Sequence, residues 1–113
     1  MTTIRSPAVA GLFYPADAWQ LEQDVQHLLA MAEFHDTKPK ALIVPHAGYV
    51  YSGAIAATAY ASLYSVAAAI RRVVLLGPAH RVAVQGLALP GVDVFDTPLG
   101  RVKLDTDLVN AIA

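Results

Sequence analysis

The chain has 113 residues, of which 56% are hydrophobic and 15% are charged, and its formal net charge is −1. This composition predicts one small globular domain and excludes an intrinsically disordered chain. The nearly neutral charge, with no basic cluster, gives no sign of binding to nucleic acid or to an anionic membrane surface. The chain has no cysteine, so a metal site built from these residues must use histidine, aspartate or glutamate.

The N-terminal segment predicts an extended lead-in rather than a leader peptide or a membrane anchor. Pro7, Gly11 and Pro15 interrupt its apolar residues before they reach signal-peptide length, so we expect a cytoplasmic protein. Further along the chain, Arg71 and Arg72 divide the longest apolar stretch and argue against a transmembrane span.

A first helix is predicted over residues 18–33. Asp17 is a suitable N-cap, and Gln20 stands three residues later, as in a capping box. Apolar side chains at helical spacing define one face of this helix: Leu21, Val25, Leu28, Leu29 and Ala32. The polar run at 35–40 then predicts a connecting loop.

Two continuous apolar runs, residues 41–45 and 73–77, are typical of strands that are covered on both faces. Between them, an alanine-rich stretch from Ser52 or Gly53 to about Ala69 predicts a mostly buried helix. These three elements predict a βαβ unit, in which the two strands are parallel and the loops that follow them lie at the same sheet edge.

The last part of the chain predicts short strands followed by a helix. Strand candidates are residues 85–89 and 92–95, separated by a Pro90-Gly91 turn, and residues 102–104. Asp105 can cap a final helix that has room for barely two turns. The predicted fold class is α/β, the N-terminal part of a mixed or parallel sheet flanked by helices, and we expect it to be incomplete.

His46 and His80 each follow one of the two predicted parallel strands. Ligands of open α/β sheets bind outside the carboxyl ends of the strands. Neighbouring strands are about 4.7–4.9 Å apart and imidazole binds metals at about 2.0–2.1 Å, so the two side chains could share one ion. From spacing alone, the alternative is that each histidine is a loop residue bonded to the backbone.

Residues beside these histidines are candidates for a binding pocket. Tyr49 and Tyr51 could receive an aromatic ligand, and Arg81 could bind a carboxylate. The alternatives are a tyrosine in the core and an arginine in solvent. Ser52 is expected to be an N-cap. No third metal ligand is assigned, because Asp93, Asp96, Asp105 and Asp107 do not follow core strands, and His27 and His35 are expected at the surface.

Four segments of the chain together resemble the Memo family, named for a mediator of cell motility. Bacterial members of this family are called AmmeMemoRadiSam system protein B. The segments read SPAVAGLFYP from Ser6, PHAGYVYSG from Pro45, LGPAH from Leu76 and TPLG from Thr97. The resemblance runs along nearly the whole chain, and it implies that residues 1–113 are the N-terminal portion of a single Memo-like domain.

The resemblance implies a fold similar to that of class III extradiol ring-cleavage dioxygenases, whose non-haem iron is held by two histidines and a carboxylate. His46 and His80 match the two histidines. The resemblance to Memo implies that the third metal ligand is a cysteine, far downstream of the matching region. Memo-like proteins are associated with iron or copper and with redox activity. Many members carry a second histidine where this chain has Arg81.

The sequence therefore predicts a Memo-like protein with a two-histidine half-site for iron or copper, and with redox or oxygenase activity in the full-length protein. The residues that would perform catalysis are not assigned. The alternative is a non-catalytic binding or scaffold protein that retains a vestigial dioxygenase pocket. The expected ligand is a small aromatic compound or a peptide. Alone, these 113 residues are expected to be inactive and to self-associate through unpaired strands.

Overall fold

A computed structural model describes residues 1–113 as three α-helices, one short 3₁₀-helix and a three-stranded sheet, which confirms the α/β class. In chain order, the elements are β1 (Ile4–Arg5), α1 (Ala18–Met31), α2 (Tyr49–Ala61), the 3₁₀-helix (Ala67–Ala69), β2 (Val94–Thr97), β3 (Gly100–Lys103) and α3 (Thr106–Ile112). None of the helices combines the length and the apolarity needed to cross a membrane.

Helix α1 begins as the sequence predicts. The Asp17 carboxylate accepts a hydrogen bond of 2.9 Å from the backbone N–H of Gln20. The reciprocal half of the capping box is absent, since the Gln20 side chain accepts no bond from the Asp17 N–H; its amide nitrogen donates to Asp24 at 2.8 Å. The helix ends at Met31, two residues before the predicted end at 33.

Helices α1 and α2 pack against each other and form the main buried contact of the protein. Only six of the 113 residues are buried, and among them are Leu21 of α1 and Ala57 and Ala61 of α2. Gly53 allows the close approach, since a Cβ atom there would lie 3.0 Å from the side chain of Leu28. The core is therefore small and built largely from small side chains.

Helix α2 is shorter than predicted and does not continue to residue 69. It ends at Ala61, and the Ser62 hydroxyl donates to the Ala59 carbonyl at 2.6 Å. The backbone N–H of Leu63 donates to the carbonyl three residues earlier, at Tyr60. Hydrogen bonds between residues three apart replace the α-helical bonds between residues four apart. The chain therefore leaves the helix in a turn before the separate 3₁₀-helix.

The sheet joins the two ends of the chain. Strand β1 pairs in parallel with β2, and β2 pairs antiparallel with β3. The β2–β3 hairpin corresponds to two of the predicted strands, shifted by about two residues toward the C-terminus for β2 and toward the N-terminus for β3. The predicted strand at 85–89 does not form.

The predicted strands at 41–45 and 73–77 are also wrong, and the βαβ unit is therefore absent. Residues 71–92 make no backbone–backbone hydrogen bond. Val73, Val74, Leu75 and Leu76 are between 69% and 78% exposed. An apolar run has a tendency to become a strand, but a strand also needs a neighbour that pairs with its backbone. No other segment among residues 1–113 pairs with these two runs.

A clamp between Thr3 and Asp93 holds the start of the chain against β2. The backbone N–H and the hydroxyl of Thr3 both donate to the Asp93 carboxylate, at 2.9 and 3.1 Å. The first of these bonds, and then the second, hold the pKa of Asp93 below its ordinary value, against a smaller opposing effect of burial. The ionised carboxylate therefore favours the clamped arrangement.

We expect this clamp to weaken in acid. Because the pKa of Asp93 is lowered in the folded chain, its stabilising contribution is present above the ordinary value of 3.8 and is lost as the pH falls through the lower folded pKa. The protection factor of the Thr3 amide, which NMR hydrogen exchange gives relative to the intrinsic rate at each pH, should fall across that interval. Asp93→Asn should remove this pH dependence, whereas Asp107→Asn should preserve it. An identical profile in wild type and Asp93→Asn would contradict the assignment.

Candidate metal centre

The imidazoles of His46 and His80 lie side by side on the protein surface. Their Nε2 atoms are 3.0 Å apart, and the ring centroids are 5.2 Å apart with an angle of 33° between the ring planes. Both residues are exposed. The two histidines therefore meet, although the parallel strands that the sequence predicts before them do not form.

This separation suits two ligands of a single ion. Two nitrogens that are 3.0 Å apart and each about 2.0–2.1 Å from a shared ion subtend roughly 90° at that ion. Such an angle belongs to neighbouring positions of square-planar or octahedral coordination, which copper and non-haem iron adopt, more than to a zinc tetrahedron. The same contact is also an N–H···N hydrogen bond when one neutral imidazole donates and the other accepts.

No third side chain completes the centre. The structure contains no group of three or more histidine, cysteine, aspartate or glutamate residues that could hold an ion. His35 pairs with Glu33, with its Nε2 atom 3.7 Å from the carboxylate. Three of the four aspartates considered from the sequence have other partners: Asp93 binds Thr3, Asp96 pairs with Arg101, and Asp105 pairs with Arg72. Asp105 also caps α3.

The loop that carries His46 is anchored at its C-terminal side. The backbone N–H of Tyr49 donates to the Phe13 carbonyl at 2.8 Å, and the Ser52 hydroxyl donates to the Ala47 carbonyl at 2.9 Å. The N-cap of α2 is Gly48, so the expectation that Ser52 caps the helix is wrong. Ser52 lies in the helix, and its hydroxyl reaches back past the cap.

His80 has a different setting. It belongs to the segment 71–92, which has no backbone–backbone hydrogen bonds. The same segment surrounds an open cleft of about 450 Å³, whose lining includes Leu76, Val82 and Leu87. Most of its lining residues are hydrophobic, and they precede and follow His80 in the chain. The cleft is therefore formed by chain neighbours of His80, and the His80 side chain is not part of its lining.

The three residues predicted to bind a ligand differ in their surroundings. Tyr49 packs its ring 5.7 Å from that of Tyr14, in the contact between α2 and the N-terminal lead-in. Burial raises the pKa of the Tyr49 phenol, with smaller contributions from nearby groups, so its hydroxyl stays neutral at ordinary pH. Tyr51 is 83% exposed, and Arg81 is exposed as well. Their part in ligand binding stays a prediction.

Two parts of the His46 anchor were not identified from the sequence. The Phe13 carbonyl is a backbone group, and a residue pattern gives no sign of where a single carbonyl points. The sequence shows a serine at position 52, in the PHAGYVYSG segment, but it does not show which group its hydroxyl bonds to, because that depends on where the helix begins. With α2 starting at Tyr49 rather than near residue 52, the serine moves from the cap into the helix.

Taken together, these elements define a small α/β protein with a pair of histidines beside the N-terminal end of its second helix. A sequence model of the Memo-like protein family matches residues 5–113. The chain therefore belongs to the Memo family.

Relatives from all three domains of life share this similarity. The chain is 39% identical over 105 residues to a MEMO1 family protein of Aquifex aeolicus, which covers 93% of this chain and 38% of that protein. It is 44% identical over 126 aligned residues to a MEMO1 family protein of Methanocaldococcus jannaschii, covering 99% and 42% of the two chains. Protein MEMO1 of Xenopus tropicalis is 39% identical over 101 residues, covering 89% and 33%. The chain thus spans 33–42% of the length of these relatives.

Proposed function

We propose that this chain contributes two histidine ligands, His46 and His80, to an iron or copper site of a Memo-family protein related to non-haem iron dioxygenases. The observation that carries the proposal is the 3.0 Å separation of the two Nε2 atoms. A second support is that residues 34 positions apart, on segments with no shared strand pairing, nevertheless direct the same ring atom toward each other.

A bound iron or copper ion would supply redox or oxygen-activating chemistry. The chain's own contribution is to present two imidazole nitrogens, one from an anchored loop and one from an open segment. A third ligand would have to come from outside these residues. Tyr51 and Arg81 would contact a small aromatic or peptide ligand, and the open cleft formed by the residues on either side of His80 would receive part of it. Redox or oxygenase activity is proposed for the whole protein only.

The alternative function is a non-catalytic binding or scaffold protein that retains the two histidines as a vestige of a dioxygenase pocket. It is favoured by the contact itself, since two imidazoles at 3.0 Å can form an N–H···N hydrogen bond without any ion. In that case the two rings form only the N–H···N hydrogen bond. A cytoplasmic location remains a prediction from the sequence.

Titration with Cu²⁺, and with Fe²⁺ under anaerobic conditions, tests the metal site. We expect one ion per chain by isothermal titration calorimetry. The variant His27→Ala/His35→Ala is a matched control, because it removes two histidines outside the pair and should leave this stoichiometry unchanged. Binding that disappears in the control variant, or no binding by the wild type, would overturn the proposal. Metal uptake by a full-length relative without oxygen consumption in the presence of catechols would favour the binding protein.

A further inference from the structure

Ser52 is a buried residue whose hydroxyl ties α2 to the loop that carries His46. It is only 6% exposed, and its Oγ donates to the Ala47 carbonyl at 2.9 Å and lies 3.4 Å from the Gly48 carbonyl. Serines inside helices ordinarily bond to a carbonyl three or four residues earlier. The shorter bond of Ser52 goes five residues back, to a residue before the N-cap. It therefore links the helix to the preceding loop.

The bond fixes the peptide that lies one residue beyond His46. The first helical residue, Tyr49, is independently held by the Phe13 carbonyl, so the loop between His46 and α2 has two anchors within three residues. The chain around His80 has no comparable backbone restraint. Of the two imidazoles, only that of His46 is thus supported by a defined hydrogen-bonded loop.

We propose that Ser52 is a positioning residue for His46. Its hydroxyl holds the Ala47 carbonyl and thereby keeps the His46 imidazole where it meets His80. Ser52 does not itself contact the imidazole. The expected effect of Ser52 on metal affinity rests on the proposed metal site, whereas its effect on the position of the imidazole does not. A ligand that is held in place before binding loses less conformational freedom when it binds, so loss of this hydroxyl should weaken metal binding.

The same helix provides a matched control for this role. Ser62, at the opposite end of α2, is also 6% exposed and also donates its hydroxyl to a backbone carbonyl, that of Ala59 at 2.6 Å. The helix of 13 residues separates the two serines by roughly 15 Å. Removing either hydroxyl deletes one buried hydrogen bond, but only Ser52 is attached to the His46 loop.

The experiment compares Ser52→Ala, Ser52→Thr and Ser62→Ala in the whole chain. Calorimetric titration with Cu²⁺ should show roughly tenfold weaker binding for Ser52→Ala, the lower end of the effect of groups that orient metal ligands. Ser52→Thr keeps a hydroxyl and should restore most of the affinity. Ser62→Ala should bind copper like the wild type. Helix content from circular dichroism should change similarly in the two alanine variants.

A metal-free measurement separates this inference from the metal site. In wild-type protein without metal, NMR should detect a nuclear Overhauser effect between the imidazole protons of His46 and His80. It should be lost in Ser52→Ala and retained in Ser62→Ala. If the wild type binds no copper, the metal site fails, and this signal still decides the role of Ser52. Retention of the signal in Ser52→Ala, or its loss in both variants, would overturn the positioning role.

Discussion

Replacing either His46 or His80 with alanine is expected to weaken binding of Cu²⁺ or Fe²⁺ by roughly tenfold or more, because even groups that merely orient a ligand change affinity by about 10–100-fold. The Nε2 atoms are close enough to bind one ion together, and each alone is a single exposed imidazole. The double variant His46→Ala/His80→Ala should therefore lose little more affinity than either single variant. Calorimetric titration of the four proteins measures this coupling.

The pattern of the four affinities is more informative than any one loss. If the effects of the two single substitutions multiply in the double variant, the histidines contribute independently and do not act as a pair; two ions per wild-type chain and one per single variant would show that they bind separate ions. His27→Ala and His35→Ala, as single changes, show the loss expected from removing an unrelated surface histidine. Equal losses in these controls and in the pair would contradict the site.

Introducing lysine at Leu75 is expected to convert a self-associating protein into a monomer. Leu75 lies in the middle of residues 73–76, whose apolar side chains are at least 69% exposed, in a segment without backbone–backbone hydrogen bonds. Unpaired donors and acceptors on an apolar segment are a template for pairing with another chain. A lysine within that segment adds repulsion between copies and a desolvation cost when they pair. Sedimentation velocity over a range of concentrations measures the change.

Leu12→Lys is the control for this result. Leu12 is 81% exposed, yet its backbone N–H donates to the Val9 carbonyl within a hydrogen-bonded turn. If exposed leucines alone cause association, both lysine variants should reduce it equally. If the unpaired backbone of the 71–92 segment is required, only the change at Leu75 should do so. A wild-type protein that stays monomeric at every concentration would contradict the expectation.

The parts of the fold that depend on neighbouring residues could be predicted from the sequence. Asp17 and Asp105 cap α1 and α3 as expected, because a cap requires only a carboxylate and the N–H groups of the next turn. The strands at 41–45 and 73–77 could not be predicted reliably, since an apolar run does not reveal whether a partner strand is available. Strand β1 was not predicted because it is too short to show a strand pattern, although a partner strand is available to it. It has two residues and is held by β2, about ninety positions away.

For the candidate site, the pairing of the two histidines was predicted, but the structure that supports it was not. The sequence placed His46 and His80 together through a pair of parallel strands, and the structure brings them together without those strands. What could not be anticipated was the support of the site. The bond from Ser52 to Ala47 depends on a helix that begins three residues earlier than the sequence suggested. The sequence shows the chemistry of a side chain, but it does not show at which residue the helix begins and therefore where in the helix that side chain lies.

The small helix–helix core also determines how this protein responds to heat. The chain exposes 9115 Å² of surface, whereas a compact folded protein of 12.0 kDa would expose about 6,000 Å². Unfolding therefore releases comparatively little new apolar surface to water, and the heat-capacity increment, which is proportional to that surface, is correspondingly small. Because a small buried surface also gives a small enthalpy of unfolding, we expect the protein to lose its structure over a broad temperature interval. Contacts that cover residues 71–92 would sharpen that transition by giving the helices and the open segment a common core.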